Sequence, residues 1–226
     1  MTMKKICFLT LMLITAFGLN VNAQKLTYGA HVGVNFSGYQ GGDGYHLYDE
    51  KVRTGYEIGG NIGYKLGYNF ILLTGLNFSQ SGGRFSTMSP YISETGSQTT
   101  EFKEVNTKVL SFEIPLKIGY EFNIGHNFSI IPNAGMFARY AIASIKSNVI
   151  TADDRTQKWK CTDDFNDESH HIDAFKKFDY GFVGGVDMIF SGHYSLSADY
   201  KHGLKKIQPQ FGMKSWSANI SVGYRF

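Results

Sequence analysis

The chain has 226 residues, a length that fits one domain, with 22 basic against 19 acidic residues and a net charge of +3, a balance that argues against a nucleic-acid-binding surface. Its two cysteines, Cys7 and Cys161, are too few for a disulfide-stapled scaffold. Glycine, tyrosine and phenylalanine are abundant, at 26, 14 and 18 residues, and no segment beyond the first twenty or so is apolar enough for a membrane helix.

In chain order the first element is a leader. Lys4 and Lys5 precede an apolar run from Ile6 to Leu19, and Val21-Asn22-Ala23 supplies small residues for cleavage. That is the layout of a secretory signal, expected to span 1–23. Its removal takes Cys7 and two of the 22 basic residues but no acid, so the remaining domain, 24–226, carries a net +1 and one cysteine, Cys161.

From Leu26 onward the chain alternates apolar and polar residues with a period of two, the pattern of two-faced strands. The apolar sets are Leu26 to Phe36; Tyr56 to Leu66; Phe70, Leu72, Leu76 and Phe78; Leu110 to Phe122; Phe128 to Ile142; Phe178 to Phe190; Tyr194 to Tyr200; and Trp216 to Phe226. Eight strands are therefore expected. Their connections alternate too. Ser37 to Val52, Ser81 to Asn106, Lys146 to Phe175 and Gly203 to Gly212 are long or moderate, whereas Gly67-Tyr68-Asn69, Asn123 to Asn127 and Ser191-Gly192-His193 are tight. Long and short connections in turn predict an up-and-down antiparallel barrel, with the short turns and both termini on the periplasmic side if it spans an outer membrane.

Volume decides which face points outward. Eight strands enclose room only for filling side chains or one small ligand. The apolar face carries about 20 aromatic rings, each with ~150–250 Å² to bury, and these do not fit inside. The rings are therefore expected against lipid, with the lean polar face lining the bore. Height along the strands agrees. Tyr28, Tyr64, Phe70, Tyr120, Phe122, Phe128, Phe190, Tyr194, Tyr224 and Phe226 lie near the tight turns, and Phe36, Tyr56, Phe78, Phe112, Tyr140, Phe178, Tyr180 and Trp216 near the long loops. Aliphatic residues such as Val32, Leu116, Val186 and Ile220 lie between, giving two aromatic girdles around an aliphatic belt.

The stretches GVNFS, SFEIPLKIGYEF, FDYGFVGGVDMIFSGHYSLSADYKHGL and the ending VGYRF resemble the PorT-like outer-membrane β-barrel domain family of Bacteroidetes. The resemblance spans the whole domain; its most specific parts are Ile114-Pro115-Leu116 and Tyr200 to Leu204. It implies a barrel in the bacterial outer membrane. It also implies that Tyr224 and Phe226 form a terminal signal read by barrel-insertion machinery, and, for some members, an accessory role in type IX protein secretion. The long acidic loop after Lys146 matches no part of the family pattern.

The inward face carries Glu57, Lys65, Glu113, Lys117, Glu121, Arg139, Asp179, Asp187, Asp199, Lys201 and Arg225. Six acids and five bases with little water call for mutual pairing. A hairpin centred on Gly125 would set Arg139 opposite Ser111 and diagonal to Glu113, so a Glu113–Arg139 pair is expected, within a structural plug rather than a selective pore. Lys108, Lys146, Lys176, Lys177, Lys205 and Lys206, with Arg53, Arg84 and Lys214, lie near the outer strand ends and suggest a collar for the anionic glycolipid of the outer leaflet. The loop KCTDDFNDESHHID carries Cys161, Asp163, Asp164, Asp167, Glu168, His170, His171 and Asp173, but its spacing matches neither an EF-hand nor a zinc motif, and it is read as solvated. A rim hydrolase would need His202 with Asp199 and Ser37 or Ser215; one histidine among many serines does not make a site, so no enzyme, cofactor or metal is expected. Pro115 and Pro132 fall inside strands and predict a bulge or kink. The expected role is a plugged outer-membrane barrel that is structural or binds through its outer loops, with secretion as the alternative.

Overall fold

Alternation dictates the architecture strand by strand. The computed structural model describes residues 25–41, 48–92, 98–125, 127–150, 156–159, 176–207 and 212–226. The expected signal, and the acidic histidine-bearing loop with Cys161, lie outside them. Among the described residues eleven strands run β1 Leu26–Gln40, β2 Tyr48–Lys51, β3 Arg53–Gly67, β4 Phe70–Ile92, β5 Gln98–Tyr120, β6 Phe122–Asn123, β7 Phe128–Ile150, β8 Thr156–Trp159, β9 Phe178–Phe190, β10 Tyr194–Gly203 and β11 Lys214–Arg225. Eight of them close a ring, β1-β3-β4-β5-β7-β9-β10-β11, with β11 pairing back onto β1 and every pairing antiparallel. Closure removes the open edge that hydrocarbon would leave without hydrogen-bond partners.

The tight turns use the backbone that short hairpins need. Ser191 and Gly192 both have positive φ, 51° and 73°, and His193 N donates to Phe190 O at 3.1 Å; two central residues with positive φ match the right-handed twist of the flanking strands.

The sidedness is unambiguous. In β11, Ser215, Ser217, Asn219 and Ser221 are buried while Ile220, Val222 and Tyr224 are exposed. The rings lie on the outside and touch across strands in two belts. The lower belt includes Phe70–Tyr120, Phe128–Phe190, Tyr194–Tyr224 and Tyr28–Phe226; the upper one includes Tyr56–Phe78, Phe78–Phe112 and Tyr200–Trp216.

Three expectations change. The stretches read as loops Ser81–Asn106 and Lys146–Phe175 are in part ladder. The β4–β5 pairing continues without a break in register from Asn77↔Glu113 to Ile92↔Gln98, β7 reaches Ile150, and β2 and β8 pair with β4 and β7. Twenty-three residues at ~3.3 Å each extend ~75 Å, well beyond the ~25 Å apolar band even when tilted. Beyond the hydrocarbon nothing selects one apolar face, so the apolar alternation fades while the backbone still pairs.

The second change is in the bore, which is not uniformly polar. Ile71, Ile131 and Ile189 form a buried apolar cluster with Leu73 toward the tight-turn end, and Tyr39, Phe137, Ile207 and Met213 are buried toward the other. The third concerns the prolines, which cause gaps rather than bulges. At Pro115 the β4–β5 ladder skips from Thr74↔Leu116 to Asn77↔Glu113, and at Pro132 the ladder between β7 and the β5–β6 edge skips from Gly119↔Asn133 to Phe122↔Ile130; the register is the same on both sides of each gap. A missing N–H removes a rung without adding a residue.

Candidate functional site: the sealed bore and the outer rim

The middle of the bore is built around Glu113, on the inward face of β5 and 0% exposed. Arg139 of β7 stands directly opposite it, two residues from the expected register. Its Nε and Nη2 donate to Glu113 Oε2 at 3.0 and 2.7 Å. Lys201 of β10 reaches across to the other oxygen of Glu113 and also donates to Glu57 Oε2 of β3 at 2.9 Å. Asn219 donates to Glu57 at 3.1 Å, and the Arg139 guanidinium lies 5.0 Å from the centre of the Phe137 ring. Two acids and two bases thus share one knot across four strands, in which each charge has an opposite partner.

Below the knot Lys117 pairs with Asp199 at 2.9 Å, and His31 stands 3.7 Å from Glu57. At the tight-turn rim Glu121 takes Lys65 at 2.9 Å and Arg225 at 3.8 Å. Asp179 and Asp187 depart from the expected pairing. Asp179 accepts from the Ser215 hydroxyl and from Tyr180 N, and Asp187 from Asn133 Nδ2 at 2.9 Å. Among the described residues neither has a cation within ion-pair reach. Both Asp187 and Asp199 line a cavity of about 50 Å³ beside Lys117, Glu57 and His31, and Asp187 also lines a second of about 40 Å³ beside Ile71, Ile131 and Arg225. Space of that order has room for a few waters, enough to solvate what the side chains leave unmatched.

The sequence reading missed His31, Asn35, Asn219, Tyr39 and the bore isoleucines. Consecutive apolar pairs such as Phe70-Ile71, Leu72-Leu73 and Ile130-Ile131 carry the missing signal: a strand apolar on both faces is also filling its bore. Tyr39 is signalled less directly, and its hydroxyl shares a 2.8 Å hydrogen bond with Thr107 near the outer end.

The basic residues of the outer rim divide. Lys176 and Lys177 precede β9, and Lys205 and Lys206 follow β10; Lys176 N donates to Ile207 O at 2.7 Å, which sets the two segments side by side. Lys205 Nζ sits 5.1 Å from the Phe178 ring centre. Lys108 and Lys146 stand opposite each other further round, in the β5–β7 ladder. Arg53 does not join a collar: it sits on the bore-facing side of β3, where its Nε is buried. The hydrolase set is not assembled either. His202 alternates outward on β10, whereas Asp199 bonds Lys117, Ser215 bonds Asp179 and Ser37 donates to Gly82 O at 3.0 Å.

A closed eight-stranded barrel with a ring-bearing exterior and an ionic, apolar-sealed bore defines a membrane barrel of the bacterial outer membrane. Residues 22–208 match the outer membrane protein beta-barrel domain, and the chain belongs to that family. Among solved structures it is similar to Ail, the attachment invasion locus protein of Yersinia pestis, at 12% identity and a TM-score of 0.42 over 89% of this chain and 99% of that one. Neisserial surface protein A is similar at 12% identity and a TM-score of 0.41, over 88% and 95%. OprG of Pseudomonas aeruginosa follows at 14% identity and 0.39, over 89% and 96%. No curated protein matches the sequence.

Proposed function

We propose that the protein works at the cell surface as a sealed structural barrel that binds through what it holds above the membrane. One observation carries this reading: β2, β4, β5, β7 and β8 continue as a side-by-side sheet past the part of the barrel whose outer face is aromatic and aliphatic. A sheet held clear of the bilayer on long paired strands is a display platform, and its β8 edge, which pairs only with β7 among the described residues, offers backbone groups to an added strand. Trimming residues 84–106 to a tight turn is expected to leave a heat-modifiable, folded barrel while abolishing adhesion and autoaggregation of cells that display it. Equal adhesion with and without the hairpin would sink the reading.

The basic segments 176–177 and 205–206 belong to the same proposal, as the place where anionic outer-leaflet glycolipid docks. Changing Lys176, Lys177, Lys205 and Lys206 to alanine is expected to lower glycolipid co-purification severalfold. The terminal rings Tyr224 and Phe226, in T-shaped contact at 5.1 Å, suit a signal for insertion machinery, and the leader 1–23 suits export to it. The second reading, an accessory role in type IX secretion, rests on the PorT-like stretches of the sequence. Co-purification of secretion proteins with the native barrel would favour it over surface binding.

A further inference from the structure

We propose that the ionic cavity of the bore opens sideways, through the barrel wall at Pro115, and accepts the ammonium head of a membrane-resident amphiphile. The wall is weakest there. Pro115 offers no N–H, and the β4–β5 ladder has no rung at Gly75 or Leu76. Across the gap the Thr74 hydroxyl, from the lipid-facing side of β4, donates to Pro115 O at 2.8 Å. A side chain thus stands in for part of the missing backbone pairing, and it swings on one torsion where a ladder rung does not.

The cavity of about 50 Å³ reaches this place, for Thr74, Gly75 and Pro115 are part of its lining. Toward the outer mouth it is stopped by the Lys201–Glu113–Arg139 contacts, with Glu113 fully buried. Toward the tight-turn end it adjoins, at Asn61, Leu73 and Asp187, the second, smaller cavity walled by Ile71, Ile131 and Ile189. The gap itself faces hydrocarbon, flanked by Leu76, Ile114 and Leu116, each more than half exposed on the outer surface.

Charge selects the head. Glu57, Asp187 and Asp199 line the cavity against Lys117, Lys201 and the imidazole of His31. Lys117 is taken by Asp199, and Lys201 is shared between Glu57 and Glu113. Asp187 keeps only neutral donors among the described residues. Counting the His31 imidazole of the lining as neutral, a single positive charge beside Asp187 completes the balance, and an ammonium is small enough for a space that has room for a few waters. Its alkyl chain would leave between Leu76 and Ile114.

The test uses the refolded barrel in neutral detergent with decylammonium as the probe, decanol and decanoate as controls, and native mass spectrometry as the readout. Leu76→Cys with Ile114→Cys, in a Cys161→Ser background, places a disulfide across the gap. One saturable decylammonium is expected to bind, with affinity lowered at least about tenfold, some 1.4 kcal/mol, by oxidation of that pair and restored by reduction. Asp187→Asn is expected to weaken binding to a similar degree while the heat-modifiable fold is kept. Binding that is indifferent to the disulfide would overturn the sideways route. No saturable binding, equal binding of decanol, or indifference to Asp187→Asn would overturn the site.

Discussion

Glu113 is the residue on which the bore turns. It is fully buried and accepts from both Arg139 and Lys201. Removing one member of a buried ionic knot leaves the others without compensation, which is more damaging than never having had the knot. Glu113→Gln is therefore expected to lower stability in urea by about 3–5 kcal/mol, with part of the loss regained when Arg139→Met is added, because the orphaned guanidinium then goes too. A loss below about 1 kcal/mol would mean that water reaches the knot. The contact between Glu113 and Arg139 was legible in the sequence to within two residues, because both lie on the inward face of neighbouring strands. The contact between Lys201 and Glu57 spans 144 positions, and no local pattern points to it.

At the scale of the element, one strand face meets lipid and the other meets the bore. Ile220 sits in the middle of β11, 54% exposed, with Val222 and Tyr224 beside it on the same face. Ile220→Arg is expected to destabilise the barrel by about 2–4 kcal/mol in vesicles, the value for a cation at the bilayer midplane. A soluble barrel of the same shape would tolerate that change, so a neutral result would contradict the lipid-facing assignment. The elements also show where alternation stops being informative. Above the membrane β4 and β5 pair as far as Ile92↔Gln98, although their sequences no longer alternate. The physical reason is that beyond the hydrocarbon nothing selects one apolar face, while hydrogen bonding between backbones continues.

At the scale of the whole molecule, the bore is closed in layers: an ionic rim of Lys65, Glu121 and Arg225, an apolar cluster of Ile71, Ile131 and Ile189, the knot around Glu113, and the buried Tyr39, Phe137 and Met213 toward the outer mouth. An ion crossing it would have to shed its water at the isoleucines and displace an ion pair at the knot. Single-channel recordings of the refolded barrel are expected to show no steady conductance, and an ion-selective open level would overturn the sealed reading. The bound amphiphile inferred above enters from the side and leaves this expectation unchanged.

The alternation of residues by itself determined that there are eight membrane strands, that turns and loops fall at opposite ends, and that the ring-bearing side faces outward. Those are local or volumetric properties: a strand has a period of two, and about 20 rings exceed the bore of eight strands. Only the tertiary structure decided which charges meet across the bore, how far the outer hairpins stay paired, that isoleucines seal the lower end, and that Pro115 opens a rung where a cavity lies behind it. Those depend on how far each strand is staggered against its neighbours when the sheet closes, a quantity that sequence period leaves free.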